Sequence, residues 1–124
     1  MGARNILRLF SEGIKGDRAS VTQAAGSARD TAVVINAMSG TITTDDADIA
    51  AAGRVSFTVT NNKVKSGDVV VVSHAGTAPA INAADVSVSA VADGSFKIDI
   101  INNSGGTNST EVVLNFVVLG GSPT

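Results

Sequence analysis

The chain has 124 residues, of which 44% are hydrophobic, with a formal net charge of -2, one histidine (His74) and no cysteine, tryptophan or tyrosine. That length suits one folded domain, and the missing thiols exclude a disulfide framework and a thiolate metal site. The slightly acidic balance argues against the concentrated basic face that nucleic-acid phosphates require, so no nucleic-acid partner is expected.

Residues 1–30 differ in composition from the rest. Arg4, Arg8, Lys15, Arg18 and Arg29 outnumber Glu12 and Asp17 ahead of Asp30, so a basic leader precedes an acidic body. Its apolar residues gather at Ile6, Leu7, Leu9 and Phe10, and Arg8 divides them into a run too short for a secretory signal or a bilayer span. No membrane partner is expected. Ile6, Phe10 and Ile14 recur at helical spacing, yet Gly13 and Gly16 disfavour an isolated helix. A basic leader could also be a membrane-surface or nucleic-acid segment, but its spread charges and interleaved acids favour a protein contact, so residues 1–30 are read as an extended docking arm, with Arg4, Ile6, Leu7, Arg8, Leu9, Phe10 and Ile14 as its partner-binding residues. Residues 31–124 are read as the folded domain.

The body opens with strand-like stretches at 31–36 and, after Ser39-Gly40, at 41–44, and the two are expected to be neighbours. Asp45, Asp46 and Asp48 lead into Ala50-Ala51-Ala52-Gly53, which suggests a capped helical turn or a loop. Val55-Ser56-Phe57-Thr58-Val59-Thr60 then alternates apolar and hydroxyl side chains, placing them on opposite faces of a strand. Val69-Val70-Val71-Val72 has no polar face, which predicts a central strand buried on both sides. Residues 86–91 and 95–101 flank Asp93-Gly94, the strongest local hairpin signal in the chain. After an Asn, Ser and Gly-rich loop at 102–110, the stretch 111–119 is apolar on both faces apart from Asn115. Val113, Val117 and Leu119 on its second face therefore need a cover, either a subunit contact or the arm, and they are read as an oligomer contact. Seven strands with short polar turns predict an all-β fold, a small antiparallel β-sandwich of Greek-key or jelly-roll type behind the arm.

Few residues could carry chemistry. Ser73 and His74 are adjacent, and neighbours on a strand point to opposite faces, so they do not form a nucleophile and base pair. The aspartates at 45, 46 and 48 lack the glycine and distal glutamate of a calcium loop and read as a solvated acidic loop. Gly105-Gly106 has no following lysine and cradles no phosphate. Asn102-Asn103-Ser104 and Asn108-Ser109-Thr110 match the N-glycosylation pattern, which an Asn/Ser-rich loop produces by chance. No catalytic residue, cofactor or metal is expected, and an enzyme is not.

The order of segments resembles a small β-module of virion structural proteins in tailed bacteriophages and prophages. The resemblance is carried by Val21-Thr22-Gln23, Gly40-Thr41-Ile42-Thr43-Thr44, Ala50-Ala51-Ala52-Gly53 ahead of 55–61, Asp68-Val69-Val70-Val71-Val72, Gly94-Ser95-Phe96-Lys97-Ile98, and 111–118. The three aspartates depart from the usually neutral turn. The resemblance implies a capsid decoration (cement) protein on the virion surface, made in the host cytoplasm, with the major capsid protein as partner and a homotrimer as the self-assembly. A fibre or spike module, presenting the loops at 76–82 and 102–110 to a receptor, is the alternative it implies.

Overall fold

The computed structural model describes residues 18–75 and 84–120. They form eight strands: β1 (Arg18–Thr22), β2 (Val33–Val34), β3 (Ser39–Thr43), β4 (Arg54–Thr60), β5 (Val69–His74), β6 (Ala84–Ala92), β7 (Ser95–Asn102) and β8 (Val113–Leu119). Two four-stranded sheets, ordered β1-β3-β8-β5 and β2-β4-β7-β6, pack as a sandwich. The fold is all-β, as expected. Its sheets are mixed, however, because β1 runs parallel to β3 and β2 parallel to β4, while every other pairing is antiparallel.

The topology is that of four two-strand ribbons, β1–β2, β3–β4, β7–β8 and β5–β6, each crossing once from one sheet to the other. Laid side by side, the β7–β8 ribbon lies between β3–β4 and β5–β6, and β1–β2 lies outside β3–β4. Each parallel pair is thus connected through a strand of the opposite sheet, which supplies the crossover that parallel neighbours need. β2 and β3 therefore lie in different sheets, contrary to the expectation that they pair. The Asp93-Gly94 hairpin between β6 and β7 forms as expected, with Ala92 opposite Ser95 and Gly94 at φ +83°. Only glycine takes that conformation without a Cβ clash.

Alternation builds the core. Phe57 and Val59 from β4 and Phe96, Ile98 and Ile100 from β7 point inward to meet Ile42, Leu114, Phe116 and Val118 from the facing sheet, all of them buried. Phe96 and Phe116 join the layers, their rings tilted by 54° with centroids 5.6 Å apart, a separation at which aromatic pairs attract beyond their area burial. At Gly40, the second residue of β3, no side chain fits: a Cβ there would sit 2.8 Å from the Ala19 carbonyl oxygen and 2.7 Å from Ile35 Cδ1.

The folded body begins earlier than the composition shift suggests. β1 lies within the stretch expected to be arm, and Gln23 and Arg29 behind it are 2% exposed. Arg4, Ile6, Leu7, Arg8, Leu9, Phe10 and Ile14 lie outside the described residues, as does the whole 76–82 loop.

Candidate interaction surface

The outer faces of the two sheets differ in chemistry. On the β2-β4-β7-β6 sheet, Ser56, Thr58, Lys97, Asp99, Ser87 and Ser89 lie in register across three strands. The Ser56 hydroxyl donates to the Asp99 carboxylate, and this bond, opposed by burial and helped by Ser89 and the charges of Arg54 and Lys97, holds the Asp99 carboxyl below its ordinary 3.8. That face is polar across β4, β7 and β6, with Val34 of the short β2 as an exposed apolar residue at its edge.

The other sheet divides along its length. Across its middle, Ser20, Thr41, Asn115 and Ser73 are in register. The Thr41 hydroxyl donates to Asn115 Oδ1 at 2.8 Å, and Arg18 reaches over both, donating to Thr41 Oγ1 at 3.1 Å and Asn115 Oδ1 at 3.3 Å. On one side of this line lies half-buried Val113. On the other, Val117 stands opposite Val71, and Leu119 opposite Val69.

Val69 is 59% exposed, Val71 47% and Leu119 39%. The three residues expected to make an oligomer contact are therefore split: Val117 and Leu119 belong to an apolar corner, whereas Val113 is separated from it by Asn115. Among the described residues β5 is an edge strand, not the central strand its four valines predict, because none of the other described strands pairs beyond it. Alternation still governs it: Val70 is buried while Val69 and Val71 face out. The other edges carry devices that discourage further pairing, two residues of length in β2, a bulge with Ala90 at φ 52° in β6, and Arg18 on β1. β5 carries none of these.

His74 ends β5 with its Nε2 donating to the Ala84 carbonyl at 2.8 Å, which ties β5 to the start of β6. Ser73 points to the outer face, opposite Asn115. The two are not brought together, in keeping with their adjacency on a strand.

The loops at 23–32, 44–53 and 103–112 gather around Arg29. Its Nη2 donates to Asn108 Oδ1 at 3.0 Å and to the Thr110 carbonyl at 2.8 Å, and its Nε donates to the Ala47 carbonyl. Burial lowers the Arg29 pKa, and the nearby charges of Asp45, Asp46 and Asp48 oppose that shift. Gln23 is held as firmly: Nε2 donates to the carbonyls of Arg29 (2.9 Å) and Thr31 (2.8 Å), and Oε1 accepts from Asp45 N at 2.8 Å.

Asp45 is buried and its carboxylate is spent on backbone, accepting from Ala47 N and Gly26 N. It shapes a loop, with no helical turn following it. A cleft of about 150 Å³ opens beside it, lined by Thr22, Gln23, Ala25, Thr44, Asp45, Asp46 and Glu111. Among the described residues no group of three or more histidine or carboxylate side chains is placed to hold a metal ion. Both glycosylation-like asparagines are structural. Asn102 Nδ2 donates to the carbonyls of Ile49, Ala50 and Gly106, and buried Asn108 accepts from Arg29.

Compared with models of protein families, with curated protein sequences and with solved structures, the chain finds no match.

Proposed function

We propose that the protein is a structural component of a tailed-phage virion, a decoration protein that binds the assembled head where several shell subunits meet and stabilises the shell. The observation that carries this reading is the coupling of a basic, apolar leader to a compact sandwich with an exposed apolar corner, in a segment order that resembles virion β-modules. Such a protein works through interfaces. The leader lies across neighbouring copies of the major capsid protein, with Ile6, Leu7, Leu9 and Phe10 as apolar anchors and Arg4 and Arg8 supplying charge complementarity. The body covers the junction as a homotrimer, and every copy bound lowers the free energy of the intact lattice relative to its dissociated parts.

The test uses purified undecorated heads and two proteins, the full chain and a variant lacking residues 1–10. The variant is expected to remain folded, by circular dichroism, and to lose head binding. Saturation of heads at full-chain affinity would overturn the reading. The fibre or spike alternative draws less support, because in the 102–110 loop Asn102 and Asn108 are committed to bracing the fold.

A further inference from the structure

We infer that, in the free protein, the apolar stretch Ile6–Leu7–Arg8–Leu9–Phe10 docks on the outer face of its own body, covering the corner formed by Val69, Val71, Val117 and Leu119. Three features of the molecule point to this occupant.

The first is where the leader enters the fold. Arg18, the first residue of β1, is in register with Ser39, which is in register with Val117 and through it with Val71. β1 runs from that row toward the row of Thr22, Thr43 and Val113, so the chain comes into β1 from the end of the sheet where Val69 and Leu119 lie.

The second is reach. Three strand spacings separate Arg18 from Val71, about 14 Å. The eight residues from Phe10 to Arg18 span up to about 26 Å when extended, and Gly13 and Gly16 lie within them to allow the reversal. A tether this short holds the stretch near the corner at roughly millimolar effective concentration.

The third is size. Four side chains cannot supply the ~800 Å² per partner that a stable subunit interface buries. They match the apolar residues of a single short segment. The leader provides four such residues within five positions, and among the described residues no further layer covers the corner.

The inference concerns the free protein and holds or fails without reference to heads. Leader side chains docked on the body are unavailable to a shell, so head binding would begin with their release.

The test exploits the absence of cysteine in the chain. Leu9→Cys is combined with Val71→Cys, and in a control with Ser87→Cys, which is exposed on the outer face of the opposite sheet. Both proteins are oxidised at low concentration without heads. The Val71 pair is expected to form an intrachain disulfide at least ~10-fold faster than the control, as proximity of the docked segment requires. Equal rates, or a disulfide joining two chains, overturn the inference. A second measurement avoids engineered thiols: tryptic cleavage after Arg8 in the full chain is expected to quicken several-fold in Val71→Asp, with the body still folded. An unchanged cleavage rate overturns the inference as well. Retained head binding by the variant lacking residues 1–10 overturns only the proposed function, so the two ideas fail separately.

Discussion

Arg29 and Asn108 are joined by a 3.0 Å hydrogen bond between guanidinium Nη2 and side-chain Oδ1, across 79 positions of the chain. With the bonds to Ala47 and Thr110, it fastens three loops at one end of the sandwich. Arg29→Ala would leave several buried carbonyl oxygens without a donor, at a cost of about 3 kcal/mol. Arg29→Lys should recover little, because an ammonium cannot span the fork of acceptors. Urea midpoints for the two variants, falling together and well below wild type, are the expected result.

Gln23→Glu tests the neighbouring network without changing size. The amide donates to two carbonyls and accepts from one N–H, and a carboxylate would face both carbonyls with lone pairs and charge. A loss of about 2–4 kcal/mol is expected near neutrality. Partial recovery should follow as the pH falls and the new acid protonates, measured by thermal melting across pH.

Gly40→Ala places a methyl group 2.8 Å from the Ala19 carbonyl oxygen and 3.0 Å from Phe116 Cε1. The first is backbone and cannot swing aside, so β1 and β3 must separate or shift register. Overpacking of this kind costs ~1–3 kcal/mol. Gly105→Ala, where a Cβ meets nothing within 4 Å, is the control and should melt within a degree or two of wild type.

Asp99 makes the fold acid-sensitive. Its carboxyl lies below the ordinary 3.8 in the folded protein, chiefly through the Ser56 hydroxyl. The folded state therefore holds fewer protons there than the unfolded chain. Stability from this group is fully present above 3.8 and is lost as pH falls through the depressed folded value. Asp99→Asn should be less stable than wild type near neutrality, and the gap should close in strong acid. Ser56→Ala should raise the Asp99 pKa, read directly by carboxyl-carbon NMR titration.

His74→Ala removes the tie between β5 and the first residue of β6. The expected loss is about 1 kcal/mol, typical of one intramolecular hydrogen bond, with the effect concentrated in faster amide exchange along β5. Protection at Val71 and Ser73, whose amides face β8 in the same alternation as that of Ala75, unchanged from wild type would show that the tie does not hold the edge.

Local chemistry was legible in the sequence wherever one element settles its own geometry. The alternation of Val55 to Thr60 and the Asp93-Gly94 turn need no distant partner to be recognised, and both elements form. β1 was hidden because Arg18-Ala19-Ser20-Val21-Thr22 offers only two inward apolar residues, and its strand exists by pairing with β3. β5 was misplaced for the converse reason: four valines state how apolar a strand is, not whether another strand lies beyond it. Val117 and Leu119 were identifiable from a strand apolar on both faces, but Val69 and Val71 became their partners only through the β5–β8 register. Arg29 gave no signal, since its acceptors are carbonyls contributed by loops far along the chain.

The central position of the β7–β8 ribbon has a consequence for biogenesis. β3 and β5 touch within their sheet only through β8, and β4 and β6 only through β7. During synthesis, the first six strands thus emerge as two groups with no ladder between them, exposing Phe57 and the inward valines of both half-cores. Native closure waits until Leu119 has cleared the ribosome, and the many distant pairings it must complete make that step slow. In that interval the nascent chain offers open strand edges to its neighbours, so its yield should depend on chaperones and expression temperature more than its finished stability suggests.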